Sequence, residues 1–233
     1  MLSSDRSCGS SEIDMVIHDI RSRIICHRGY WSPELGIIPL QKNSWGAFER
    51  AIDFGFGIET DLRDHAGSIV ISHDVPTKEN SSNLIDFAKF LELNFSGTLA
   101  LNIKGDGLAD LLFSFQQKLS SLDHFFFDFS IPELLQYQEY GFHTAIRVSE
   151  YENMELLKAP YVWIDSFGKG HWNRKNISQL LVNTSMQFAF VSPELHGFDP
   201  VEAWHEIGSL FLENPNFRVC TDFPREFERS LQK

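Results

Sequence analysis

Residues 24–74 read IICHRGYWSPELGIIPLQKNSWGAFERAIDFGFGIETDLRDHAGSIVISHD. Three short apolar runs in this stretch each end in ionisable residues. Ile24 to Cys26 has the length and composition of a buried strand and stops at His27-Arg28-Gly29, where a strand gives way to a loop. Phe56 to Ile58 leads into Glu59 and Asp61, two carboxylates at i and i+2 that a strand points to the same side. Ser68 to Ser72 leads into His73-Asp74. Between the first two runs, residues 44–54 carry apolar side chains at helical spacing behind Ser44, a helix-start signal. Two imidazoles and two same-face carboxylates at strand ends suit one kind of chemistry: the carboxylates hold a hard divalent cation and the imidazoles move protons.

Outward from this stretch the alternation continues. Apolar runs at 99–103, 125–129, 144–148, 161–164, 188–191 and 217–220 bring the candidate strands to eight, with 68–72 as an extra short one. Helical patterns at 84–93, 108–119, 132–140, 151–157, 177–182 and 200–213 lie between them. Strand followed by helix, eight times over, predicts an α/β chain folded as a (β/α)8 TIM barrel in preference to an open doubly wound sheet. The missing dinucleotide Gly-rich fingerprint and P-loop point the same way. Residues 1–22, polar and Ser-rich with a short mixed segment at 13–20, read as an N-terminal arm or capping segment, and 23–233 as the barrel domain.

Composition bounds the function. A chain of 233 residues suits one barrel, and 42% hydrophobic content with 21 Phe is ample for one core. A net charge of −12 argues against nucleic acid or an anionic membrane as partner. It leaves room for a small phosphorylated substrate, because Arg28 and Lys104 can form a local positive pocket. Three cysteines without framework spacing favour a reducing compartment, and Cys26 and Cys220 read as small core residues. No apolar run approaches a transmembrane segment and the N-terminus lacks a signal-peptide core, so a cytoplasmic location is expected. The oligomeric state has no signal in the sequence.

A barrel places functional polar residues at the C-terminal ends of its strands. In order, those ends carry His27-Arg28, Glu59 and Asp61, Asn102 and Lys104, Asp128, Arg147, Asp165-Ser166, Glu194 and Asp222. Loops are polar in any fold, so the informative members are Glu59, Asp61, Asn102 and Lys104, which fall inside strand patterns and are costly to bury unpaired. Each has a plainer alternative. Glu59 and Asp61 could be a surface-facing strand side, His27-Arg28 a solvated loop pair or a core histidine bonded to a backbone carbonyl, His73 a turn bystander, Lys104 a rim lysine, Asn102 a satisfied interior amide and Glu194 a surface carboxylate. Trp31, Trp163, Phe167 and Trp172 read either as an apolar wall for a leaving group or as core. His171, His196 and His205 lack metal-ligand spacing and read as surface or helix residues.

These motifs resemble the glycerophosphodiester phosphodiesterase family. His27-Arg28-Gly29, an Asn43-Ser44 where the family has Glu-Asn-Thr, Glu59-Thr60-Asp61 and His73-Asp74 come in the family's order and spacing, although only the first third of the chain is motif-rich. The resemblance implies a metal-dependent phosphodiester hydrolase of TIM-barrel fold acting on a small-molecule glycerophosphodiester. It implies His27 and His73 as the catalytic acid/base pair, Arg28 as a phosphate ligand, and Glu59 and Asp61 as metal ligands, with Mg²⁺ or Ca²⁺ as the cation. Lys104 fits the phosphate as a second cation.

One departure stands out: residues 100–104 read ALNIK, placing Asn102 where the family has a metal-binding Glu. An amide oxygen coordinates a hard cation without supplying charge, so Asn102 is a candidate third ligand. Glu194, in VSPELHG at 191–197, is the candidate carboxylate to replace the missing one. Two alternatives stay open: a phospholipase-D-like lyase giving a cyclic phosphate, and a catalytically impaired phosphoester-binding barrel. The intact His27 and His73 argue against the second.

Overall fold

Every apolar run at strand spacing becomes a strand in the computed structural model, which describes residues 8–77, 82–152, 158–168, 174–181 and 185–232. In chain order these are β1 (Ile24–Cys26), β2 (Gly57–His65), β3 (Ser68–Ile71), β4 (Ser82–Asn83), β5 (Leu99–Ile103), β6 (His124–Phe127), β7 (Ala145–Val148), β8 (Tyr161–Ile164), β9 (Gln187–Val191) and β10 (Phe217–Thr221). All but β3 and β4 run parallel and form a ring. β1 pairs with both β2 and β10, and the remaining neighbours are β2 with β5, β5 with β6, β7 with β8, β8 with β9 and β9 with β10. The ring closes between β6 and β7 through a parallel bridge from Phe126 to Thr144, with the Phe126 N–H on the His143 carbonyl at 2.8 Å.

The helices are α1 (Cys8–Ser22), α2 (Trp45–Asp53), α3 (Leu84–Asn94), α4 (Ala109–Lys118), α5 (Ile131–Glu139), α6 (Arg174–Leu180), α7 (Val201–Glu213) and α8 (Pro224–Ser230). α2 starts as its sequence signal predicts, with Ser44 Oγ accepting the Ala47 N–H at 3.3 Å. The expected helix at 151–157 falls largely outside the described residues, as does the end of the one expected at 177–182. Tyr151 and Glu152 lie instead in a turn that bridges back to Ser149. α1 is longer than the 13–20 segment, and α8 had no predicted counterpart. None of the described helices is long and apolar enough to cross a membrane.

Period-two alternation sorts the strand side chains into two cores. Ile24, Ile58, Leu62, Leu101, Phe126, Ile146, Ile164, Phe188 and Val219 join the layer between strands and helices. Ile25, Ala100, Phe125, Phe127, Ala145, Tyr161, Trp163, Ala189, Val191 and Cys220 fill the barrel interior. On β2 that parity turns Glu59 and Asp61 inward, next to Ala100 and Asn102 of β5 in the strand register. Trp163 stacks on Phe127 with ring centres 4.0 Å apart and so belongs to the core, not to a substrate wall. Cys26 and Cys220 are free and buried, as their sequence context predicts.

β2 continues past the barrel rim and folds back on β3 as an antiparallel hairpin, pairing Leu62 with Ile71 and His65 with Ser68. Its two-residue turn, Ala66-Gly67, has φ of 49° and 78°, the left-handed pair that matches strand twist. The hairpin is what carries His73 back to the barrel mouth. There the Ser72 N–H donates to the Asp61 carbonyl at 3.1 Å and Arg63 Nε to the His73 carbonyl at 2.9 Å.

Candidate active site

The site begins where β1 ends. Gly29 adopts φ +80°, and a Cβ there would meet the Ala47 Cβ at 2.9 Å. Its small size therefore serves close packing against α2. Arg28 also has a left-handed backbone, φ 57°, unusual for a residue with a Cβ. That conformation aims the Arg28 N–H at Glu59 Oε2, 2.9 Å away, while its guanidinium Nε reaches Asp61 Oδ2 at 3.0 Å. Lys104 Nζ lies 3.4 Å from Asp61 Oδ1 and 3.5 Å from Asp128 Oδ2, and Asp128 in turn accepts from Arg147 at 2.6 Å. Asn43 Nδ2 donates to Asp61 Oδ2 at 2.8 Å, and its Oδ1 accepts from Thr60 at 2.9 Å. Five of the residues singled out from sequence, Arg28, Glu59, Asp61, Asn102 and Lys104, thus meet at the C-terminal end of β1, β2 and β5.

Burial gives these carboxylates unusual chemistry. Glu59 is 1% exposed, and its pKa rises well above the usual carboxylate range because of desolvation first and the Asp61 charge second. Arg28 and Lys104 pull it only part of the way back. Asn102 is also buried, and among the described residues its Oδ1 accepts no hydrogen bond; Asp61 Oδ1 likewise accepts none, although Lys104 is nearby. A buried acceptor without a donor costs about 1–3 kcal/mol. Two such oxygens in adjacent register positions beside Glu59 form an all-oxygen donor set of the type that hard divalent cations use. Among the described residues no three His, Cys, Asp or Glu side chains form a metal cluster, so a cation here would rest on two carboxylates and an amide.

His27 faces the other side of Arg28. Its Nδ1 lies 2.8 Å from Asp222 Oδ1, which also accepts from Trp31 Nε1 at 3.2 Å. Burial lowers the His27 pKa, Arg28 and Lys42 add to the effect, and Asp222 opposes it. Asp222 itself is held below the usual range: burial disfavours its charge, but His27, Lys42 and Trp31 outweigh that. Glu194 accepts from Ser192, from Thr221 and from the Asp222 N–H at 3.0 Å, which fixes the Asp222 backbone. The structure thus brings Glu194 to the His27 pair, with both its oxygens engaged by protein donors.

His73 lines an open cleft of about 450 Å³ together with Arg28, Lys42, Asn43, Trp45 and Asp74. Its Nδ1 is 2.8 Å from Asp74 Oδ1, and the side chain is half-exposed. Phe167 is exposed near Tyr151 and His196, and Trp172 and His171 lie outside the described residues. His196 is at the mouth after all: its Nε2 bonds to Asp165 at 2.7 Å, which raises its pKa. His205 is exposed on α7. Sequence reasoning missed Asp222 and Asn43 as partners of His27 and Asp61. Ring closure was the available signal for Asp222, because a residue just past the last strand must stand beside one just past the first.

The fold and the mouth together define a (β/α)8 barrel with a mixed acidic and cationic centre at the ends of β1, β2 and β5. No family model matches the sequence, and no curated protein is significantly similar to it. Solved structures share the fold. A protein from Galdieria sulphuraria put forward as a glycerophosphodiester phosphodiesterase superposes with a TM-score of 0.69 at 17% identity, over 91% of this chain and 98% of that one. A glycerophosphodiester phosphodiesterase from Agrobacterium tumefaciens gives 0.58 at 15% identity, covering 89% of this chain and 99% of the other. A glycerophosphoryl diester phosphodiesterase from Parabacteroides distasonis gives 0.50 at 15%, covering 94% and 91%. The chain has the barrel of these phosphodiesterases.

Proposed function

We propose that this chain is a metal-dependent phosphodiester hydrolase that cleaves a glycerophosphodiester-like substrate by acid/base catalysis through His27 and His73. The observation that carries the reading is the junction at Arg28, whose backbone and side chain join Glu59 to Asp61 and which lines the same cleft as His73. Arg28 and Lys104 hold the phosphate oxygens. His27 is the base: the Asp222 carboxylate accepts the hydrogen bond of Nδ1–H and keeps the proton on that nitrogen, so the neutral ring offers Nε2 as an acceptor. His73, half-exposed on the cleft, is the proton donor to the departing alkoxide. Glu59, Asp61 and Asn102 would hold Mg²⁺ or Ca²⁺, which supplies charge neutralisation at a phosphate oxygen. Glu194 fixes Asp222 and is not needed as a ligand.

The test is a chelated chain reloaded with Mg²⁺, Ca²⁺ or Mn²⁺ and given glycerophosphodiesters with different alcohols, with phosphorus NMR of the product. A phosphomonoester supports hydrolysis, a cyclic phosphate supports the lyase alternative, and no turnover with any metal overturns the enzyme reading. A second expectation follows from Glu59. A carboxyl with a raised pKa is protonated in mildly acidic solution and must lose that proton to coordinate a cation. Titration calorimetry in buffers of differing ionisation enthalpy should therefore find more proton release per metal at pH 6 than at pH 9, with affinity rising between them. Equal release at both values would remove Glu59 from the ligand set.

A further inference from the structure

Most cations at the barrel mouth stand against carboxylates of the acidic centre or its rim. Arg28 pairs with Asp61, Lys104 lies between Asp61 and Asp128, and Arg147 is held by Asp128 and Glu152. Lys42 differs. Its ammonium stands 3.7 Å from Asp222 Oδ2 and 4.2 Å from the centre of the Trp31 ring. Its side chain is 37% exposed and lines the cleft with Arg28 and His73. The carboxylate it approaches already accepts shorter bonds from His27 and Trp31. Those bonds go to Oδ1, and the 3.7 Å from Lys42 to Oδ2 is beyond hydrogen-bond distance, so the pair cancels only part of the ammonium charge, and the indole face orients the cation without neutralising it. Asp74, on the same cleft, is turned to His73 and largely solvated. Lys42 therefore presents positive charge to the cleft in a chain of net charge −12.

We propose that Lys42 is a specificity-determining cation that binds a second anionic group, carried on the alcohol of the phosphodiester, so that esters bearing a further phosphate on that arm are preferred over neutral ones. The inference rests on the phosphodiesterase reading of the site. Arg28 and Lys42 both come from the segment between β1 and β2, but Arg28 and Lys104 meet at Asp61 on β2, whereas Lys42 stands on the Asp222 and Trp31 side. The two positions suit one diester with two anionic centres.

Two measurements decide it, each on the parent chain, Lys42→Met and Lys42→Arg. The first is the ratio of kcat/KM for glycerophosphoinositol phosphate over glycerophosphoinositol. The second needs no turnover: the ratio of Kd for glycerol 3-phosphate over glycerol 1,3-bisphosphate, with magnesium present. Each ratio should be about tenfold for the parent, fall to about twofold or less in Lys42→Met, return in Lys42→Arg, and shrink at high salt. Losing the Lys42–Asp222 pair alone would alter His27 for both members of a pair equally and leave the ratios unchanged. A parent ratio near one, or equal ratios in parent and Lys42→Met, overturns the assignment. If the parent cleaves neither ester, the phosphodiesterase reading fails and the binding ratio still decides whether Lys42 selects the second anion.

Discussion

Replacing His27 with alanine should slow turnover of a glycerophosphodiester by more than ~100-fold, the usual size of a lost acid/base group, while the barrel stays folded. The imidazole is tightly specified. Asp222 holds Nδ1 at 2.8 Å, Trp31 holds Asp222 at 3.2 Å, and Glu194 holds the Asp222 backbone at 3.0 Å. Asp222→Asn should cost a comparable factor, because an amide can donate to Nδ1 as readily as accept from it and so releases the wrong tautomer. The two changes separate in the pH profile. Asp222 raises the His27 pKa against the effect of burial, so removing its charge should move the acid limb of kcat/KM to lower pH. Lys42 lowers the same pKa, so Lys42→Met should move that limb upward. Turnover within about tenfold of the parent in both His27→Ala and Asp222→Asn, with circular dichroism unchanged, would remove His27 as the base.

The strands were legible because each is a short apolar run closed by polar residues, and β1, β5 and β8 fall at the predicted residues. The carboxylate pair on β2 was legible for the same reason, since its parity is local. What lay hidden is long-range. Asp222 is 195 residues from His27, and only closure of the ring makes them neighbours. α8 was hidden because it begins three residues after β10 and is only seven residues long, too short for a helical period to stand out. The N-terminal helix was underestimated because Gly9, Ser10 and Ser11 are weak helix formers, so the segment reads as an arm. His196 looked like a bystander because its partner, Asp165, lies on the preceding βα unit.

The opposite end of the barrel carries the other large expected effect, on stability instead of catalysis. Arg218, on β10, is 7% exposed. Its guanidinium donates to Asp123 at 2.7 and 3.1 Å, to Thr98 at 2.9 Å and to Gln187 at 2.7 Å. Asp123 also accepts from Thr98 and from the Tyr161 hydroxyl. This ionic layer fills the N-terminal end of the barrel below the apolar one, joining the chain before β5 and before β6 to β9 and β10. Removing one partner of a buried pair leaves an uncompensated charge, a loss of about 3–5 kcal/mol when both are fully buried. Asp123 is about a third exposed, so Arg218→Met should lose about 2–4 kcal/mol, a fall in Tm of roughly 4–16 °C for a chain of this size. Burial disfavours the Asp123 charge, but Arg218 together with Thr98 and Tyr161 holds its pKa below the usual value. A depressed carboxyl stabilises the fold above its unfolded pKa, near ~4, and that contribution disappears as pH falls through the lower folded value. The gap between parent and Arg218→Met in chemical denaturation should therefore be full at neutral pH and close in strong acid. Adding Asp123→Asn should recover part of the loss at neutral pH, because the second change removes the orphaned charge. Turnover per folded molecule should be unchanged in both variants, since the layer lies at the end of the barrel opposite His27 and His73. A stability loss under about 1 kcal/mol, or a gap that persists in acid, would mean that the apolar interior holds the ring closed without the ionic layer.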